Sequence, residues 1–127
     1  MLKDRNSSAI VAVSDLARAR TFYEETLGLT LEGGGVEDGV LDFRTGATSL
    51  TVYKSDYAGT NRANAVTWAM KGDLVEVVAD LKAKGVTFEH YPDLGLALNG
   101  DIHEAGDMKL VWFKDPDGNI LHLVEGM

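Results

Sequence analysis

The chain carries the same pattern twice, and this limits its fold more than any other feature. Residues 15–32 read DLARARTFYEETLGLTLE, and residues 73–89 read DLVEVVADLKAKGVTFE. Asp15-Leu16 matches Asp73-Leu74, and Gly28-Leu29-Thr30-Leu31-Glu32 matches Gly85-Val86-Thr87-Phe88-Glu89. The spacing between copies is 58 residues at the first pair and 57 at the glycines, so one residue has been lost within the second copy. An apolar run precedes each copy, Ala9–Val13 and Ala65–Met70. A repeat of strand, helix and strand implies two copies of one supersecondary unit, packed to share a surface.

Periodicity fills in the units. Ser8–Val13 is short, apolar and β-branched, and reads as a strand. Ser14 or Asp15 then caps a helix whose inner stripe is Leu16, Ala19, Tyr23 and Leu27, with Gly28 at its end. Strand resumes at Thr30–Glu32, the glycines at 33–35 with Glu37-Asp38-Gly39 read as a turn, and Val40–Arg44 with Ser49–Tyr53 form a hairpin. The polar stretch SDYAGTNRAN, residues 55–64, reads as a linker. Val66–Met70, a helix over Asp73–Lys84 and a strand over Val86–Glu89 repeat the pattern. In that helix Leu74, Val77, Val78 and Leu81 face inward. Tyr91–Gly106 reads as a long irregular stretch with an edge strand near Leu96-Ala97-Leu98. Loops of this length in compact domains are often functional. Met108–Lys114 and Ile120–Glu125 close a last hairpin around Asp115-Pro116-Asp117-Gly118-Asn119, where proline and glycine supply the corners. The expected fold is α+β: two tandem βαβββ modules, residues 1–54 and 65–127, forming a curved mixed sheet around a cleft with the helices outside.

Composition removes several function classes. The net charge of −8 disfavours nucleic acid and fits attraction of a cationic ligand. There is no cysteine, so disulfides, thiolate metal sites and cysteine nucleophiles are absent. No apolar run reaches the ~18 residues that a membrane span needs, and MLKDRNSS is followed by no signal-like segment. A cytoplasmic protein is expected.

Asp15-Leu16 with Phe22-Tyr23 and Leu27-Gly28-Leu29, followed much later by Phe113-Lys114-Asp115-Pro116-Asp117-Gly118-Asn119 before a final strand, resembles the vicinal oxygen chelate superfamily. This is the glyoxalase, bleomycin-resistance and extradiol dioxygenase group. The resemblance spans nearly the whole chain. It implies paired βαβββ modules, a homodimer and a cavity within a U-shaped sheet. It does not fix an activity, because function on one fold diverges widely. Metal-using members place His, Gln or Glu on the first and last strands of each module. Carried onto this sequence, those positions are Ser8, Thr51, Val66 and His122. Only His122 suits a transition metal. A one-residue slip gives Ala9 or Ser7, Ala65 or Thr67, Leu50 or Val52, and Leu121 or Leu123, and adds no ligand. No metal cofactor is therefore expected.

By alternation, Ile10 and Ala12 would share a face with Ser8, Tyr53 with Thr51, Trp68 and Met70 with Val66, and Val124 with His122. The cavity expected from these residues is apolar and aromatic, with one imidazole and a few hydroxyls. The matching function is a small-molecule-binding protein that uses no metal, like the drug-sequestering resistance proteins that hold cationic aromatics. The alternatives are a metal-dependent lyase, isomerase or dioxygenase, and a metal-free acid–base enzyme using His122. A pure interaction module is a third class. Whether the chain is an enzyme stays open at this point. His90 and His103 are expected at the surface, Glu125 on the face opposite His122, and Arg44 in a local ion pair with Asp42.

Overall fold

A computed structural model describes residues 1–126. The chain forms two compact units, residues 1–61 and 62–127, each built on its own mixed sheet.

In the first unit the strands are β1 (Ala9–Val13), β2 (Thr30–Gly35), β3 (Val40–Thr45) and β4 (Thr48–Lys54), in the order β1-β4-β3-β2. β1 runs parallel to β4, and β2 and β3 add antiparallel neighbours. The parallel pair needs a crossover, which helix α1 (Leu16–Arg20) and a π-helical turn over Thr21–Thr26 begin. Asp15 caps the helix by accepting the Arg18 N–H at 3.0 Å. Leu16, Ala19 and Tyr23 bury against Val11, Val13, Leu41, Phe43, Leu50 and Val52. Of the expected turn, Glu37-Asp38-Gly39 holds the reversal but the glycine run does not belong to it. The run extends β2 to Gly35 past an irregularity between Leu31 and Gly33, and the chain reverses at Val36–Asp38.

The second unit repeats this plan with additions. Its strands are β5 (Asn64–Met70), β6 (Phe88–Glu89), β7 (Ala97–Asn99), β8 (Ile102–Ala105), β9 (Met108–Lys114) and β10 (Ile120–Glu125). Helix α2 (Leu74–Ala83) makes the crossover between β5 and the later strands. β5 is parallel to β10, and β10 is antiparallel to β9. On its other flank β9 meets two strands in turn: β6 opposite Phe113 and Trp112, and β8 opposite Leu110 to Met108. The stretch expected to be irregular thus contains a hairpin, β7–β8. The described residues form ten strands, against eight expected from the pattern.

Leu74, Val78 and Leu81 of α2 bury one face, as their spacing requires. Pairing across the ladders places Val66, Phe113 and Leu121 on one face of this sheet, with Trp68, Val111 and Leu123 beside them. Glu125 is on that face too, and its carboxylate accepts the Leu74 N–H at 3.1 Å. The cap of α2 is therefore supplied from β10, because Asp73 makes no side-chain capping bond. Thr67, Ala69, Leu110, Trp112, His122 and Val124 occupy the opposite face.

Candidate functional site

That opposite face holds the most concentrated chemistry among the described residues. Alternation along β9 and β10 brings Trp112 directly across from His122. Their rings stack at 4.6 Å with planes 17° apart. His103 meets the indole edge-on at 4.9 Å and Tyr91 at 5.2 Å. Trp112 and His122 are only 7% and 8% exposed.

The Nδ1–H of His122 donates to the Val111 carbonyl at 3.0 Å, leaving the Nε2 lone pair as its free polar group. His103 accepts the Tyr91 N–H on Nε2 at 3.0 Å, so its Nδ1 carries the proton, and that buried group has no hydrogen-bond partner of good geometry among the described residues. His103 is thus a core strand residue, only 2% exposed, and not the surface histidine expected. Burial lowers the pKa of both imidazoles from 6.5. The Val111 carbonyl partly offsets this at His122, and the Leu110 backbone at His103, where nearby His90 adds to the lowering. A depressed histidine pKa means that the unfolded chain takes up protons first. Stability is then full above pH 6.5 and falls as pH drops below it. Each histidine withdraws at most about 1.4 kcal/mol by pH 5.5. Urea unfolding at pH 7.5 and 5.5 measures this loss, and His103→Gln should flatten it.

Two concavities flank the stacked pair. One of about 460 Å³ is lined by Arg62, Asn64, His90, Tyr91, Pro92, Asp93, Leu94, Trp112 and Ile120. The other, about 320 Å³, is lined by residues 64–67 with Met108, Leu110, His122 and Val124. Their walls are mainly apolar and aromatic, with room for a small organic molecule.

The residues expected from sequence divide into three groups. His122 and Val124 lie on this face together, as expected. Val66, Trp68 and Met70 do not join them. By pairing they share the face of Leu121, Leu123 and Glu125, although Val66 is among the residues that line the smaller concavity. The partners of His122 and Val124 on β5 are Thr67 and Ala69. In the first unit, Ile10 pairs with Thr51 on the face turned away from α1, and Tyr53 lies on the same side. Ile10 is 61% and Tyr53 37% exposed. Ser8 Oγ lies 3.0 Å from Ser49 Oγ, and Thr51 donates to Asp42 at 2.7 Å. That bond occupies Asp42, so Arg44 pairs with Glu32 instead, at 3.2 Å. The positions carried over from metal-using relatives, Ser8, Thr51, Val66 and His122, hold two hydroxyls, a valine and one imidazole, which do not fit a transition metal. Among the described residues no three His, Cys, Asp or Glu side chains gather as a metal site.

Sequence reasoning passed over Trp112 and Tyr91. Period-two reading from His122 through the hairpin turn would have put Trp112 beside it, since the two strands pair residue for residue.

The family model for the glyoxalase, bleomycin resistance protein and dioxygenase superfamily matches residues 7–123. Several solved structures share the fold. A lactoylglutathione lyase of Agrobacterium tumefaciens aligns with TM-score 0.70 and 19% identity, over 97% of this chain and 94% of its own. A genomically encoded fosfomycin resistance protein of Listeria monocytogenes aligns with TM-score 0.74 and 15% identity, over 98% and 94%. An integron cassette protein from the mobile metagenome of Halifax Harbour sewage outfall aligns with TM-score 0.71 and 17% identity, over 96% and 98%. No curated protein matches the sequence. Among the described residues no helix is long and apolar enough to cross a membrane.

Proposed function

The chain belongs to the glyoxalase, bleomycin resistance protein and dioxygenase superfamily, and within it we propose a small-molecule-binding protein that works without a metal. Its ligand is an apolar or aromatic molecule laid against Trp112 and His122. The observation that carries this reading is the stacked pair itself. Its indole and imidazole planes lie 17° apart, bordered by two mainly apolar concavities. A flat ligand ring continues such a stack at little ordering cost, since the side chains are already packed. The free Nε2 of His122 offers one hydrogen bond for orientation.

The net charge of −8 supports a ligand with positive charge, drawn by the field of the whole protein. The resistance proteins of this superfamily make sequestration the natural reading. A homodimer goes with it, taken from the family resemblance, and a cytoplasmic location, taken from a sequence without cysteine or a membrane-length apolar run.

The test uses the Trp68→Phe variant, in which Trp112 is the single tryptophan. Titration with a panel of flat cationic, neutral and anionic aromatics should give saturable quenching that a chelator leaves unchanged. No quenching across the panel, or stoichiometric Fe, Mn, Ni or Zn in protein purified without added metal, removes the proposal.

A further inference from the structure

The tip of the β7–β8 hairpin holds a reactive pair that ligand binding does not use. Asparagine occurs at positions 6, 61, 64, 99 and 119, and only Asn99 is followed by glycine. β7 is a three-residue edge strand whose residues are all exposed, so it frays at little cost. Gly100 comes next, exposed and at φ 64°, and a Cβ built there would meet nothing within 4 Å. Its N–H lies beyond the last ladder pair, Asn99 with Ile102, and has no backbone partner among the described residues. Asparagine deamidates by attack of the following backbone nitrogen on its own side-chain amide carbon. Here both residues are open to solvent, and glycine puts no side chain over the attacking nitrogen. The other asparagines lack this combination. Asn119 is buried before Ile120, and Asn64 belongs to β5. Asn6 and Asn61 are exposed but precede serine and arginine, whose side chains crowd the attack.

The same turn is where the hairpin is tied down. Nδ2 of Asn99 donates to Glu104 Oε1 at 3.2 Å, across the hairpin. Asp101, the residue after Gly100, lies 2.8 Å by Oδ1 from His90 Nε2 and 2.9 Å by Oδ2 from Lys82 Nζ of α2. Three separate elements thus converge on one carboxylate, which is mostly buried. His90 follows β6 directly and lines the larger concavity. A change at residue 99 therefore acts one residue from Gly100 and two from the anchor of that wall.

We propose that Asn99 is a site of spontaneous deamidation and isoaspartate formation, and that the altered residue loosens the β7–β8 hairpin and its hold on His90. In the first step the Gly100 nitrogen gives its proton to hydroxide and bonds to Cγ of Asn99. The Cγ–Nδ2 bond breaks, and Nδ2 takes up a proton from water and leaves as ammonia, which closes a succinimide ring. Water then adds to one of the two ring carbonyls and breaks its bond to the ring nitrogen. Opening at Cγ gives aspartate. Opening at the backbone carbonyl gives isoaspartate, with the chain now running through Cβ and Cγ. Water is the sole co-reactant. Either product replaces the amide donor with a carboxylate facing Glu104, and like charges across paired strands repel. Isoaspartate also adds a carbon to the main chain before Gly100, which shifts Asp101 away from Lys82 and His90. Neither effect depends on what binds the stacked face.

The full chain, folded, is aged in warm, mildly alkaline buffer and then digested with trypsin. The peptide spanning residues 85–109 contains no other asparagine, so its mass reports Asn99 alone. It should gain the mass of an amide turned to a carboxyl before any other asparagine peptide does, and severalfold faster than in neutral buffer. An isoaspartyl methyltransferase should label the same peptide. The aged protein should elute later on anion exchange, and its amide exchange should speed up across residues 97–105 while β10 stays protected. Asn99→Gln, whose longer side chain closes such a ring far more slowly, should keep its elution and its exchange pattern through the same ageing. Conversion at another asparagine first, or none at residue 99 while the unfolded chain converts there, overturns the proposed site. Conversion at residue 99 with unchanged exchange across residues 97–105 overturns the proposed loosening.

Discussion

Trp112→Ala should abolish ligand quenching and cost the fold about 3–5 kcal/mol, the range for removing a large buried aromatic. The indole contacts three rings, those of His122, His103 and Tyr91, so its removal strips a neighbour from each. The cavity left cannot collapse easily, because Trp112 sits on a strand paired on both sides. Trp112→Phe separates the two effects. It keeps a ring in place but shortens the platform. Calorimetric titration should then show a flat aromatic binding about tenfold more weakly, or about 1.4 kcal/mol, comparable with one aromatic contact. Unchanged affinity in Trp112→Phe would mean the ligand does not lie on this face.

The second large effect is expected at Asp115. Asp115→Ala should destabilise the protein by about 3 kcal/mol or more, since bonds to a buried charged group are worth ~1.5–3 kcal/mol each. Asp115 is buried at the turn between β9 and β10. Its Oδ1 accepts the N–H groups of Asp117 and Asn119 at 2.9 and 2.8 Å, and its Oδ2 accepts Asn119 Nδ2 at 2.8 Å. Gly118, at φ 87°, supplies the left-handed residue that the turn requires. This turn sets the register that puts Trp112 across from His122. Denaturant unfolding should therefore lose stability together with the near-ultraviolet signal of Trp112. Asp115→Asn should cost less, because one oxygen still accepts the two backbone N–H groups while the new amide faces Asn119 Nδ2. If Asp115→Ala unfolds at the same denaturant concentration as the parent, the turn does not hold the hairpin.

The repeat and the apolar periodicities made the two βα units and the final hairpin legible. They did so because helix stripes and strand alternation reflect burial by a single partner layer. The faces of β5 were harder to read. In the first unit one residue, Ser14, separates β1 from the cap Asp15. In the second, Lys71 and Gly72 separate β5 from Asp73. Gly72, at φ 87°, takes up the extra residue. A count of seven back from Asp73 therefore lands on Val66, on the wrong face for His122, since one residue reverses every side chain of a strand. The absence of a second metal donor survived that error, because neither face of β5 carries one. The β7–β8 hairpin was missed for another reason. Its strands are three and four residues long, too short for alternation to register. The Asn99-Gly100-Asp101 turn was the signal available. The network of Lys82, His90 and Asp101 joins residues from three elements, and no local pattern encodes such a meeting.

One flank of β9 is shared end to end by β6 and β8, and the chain between β6 and β7 leaves the sheet and returns. That detour can lengthen or shorten without moving any rung of the central ladders. A protein engineer seeking altered selectivity would splice there, between Pro92 and Leu96, where new side chains arrive at the pocket rim and the scaffold beneath them is left undisturbed.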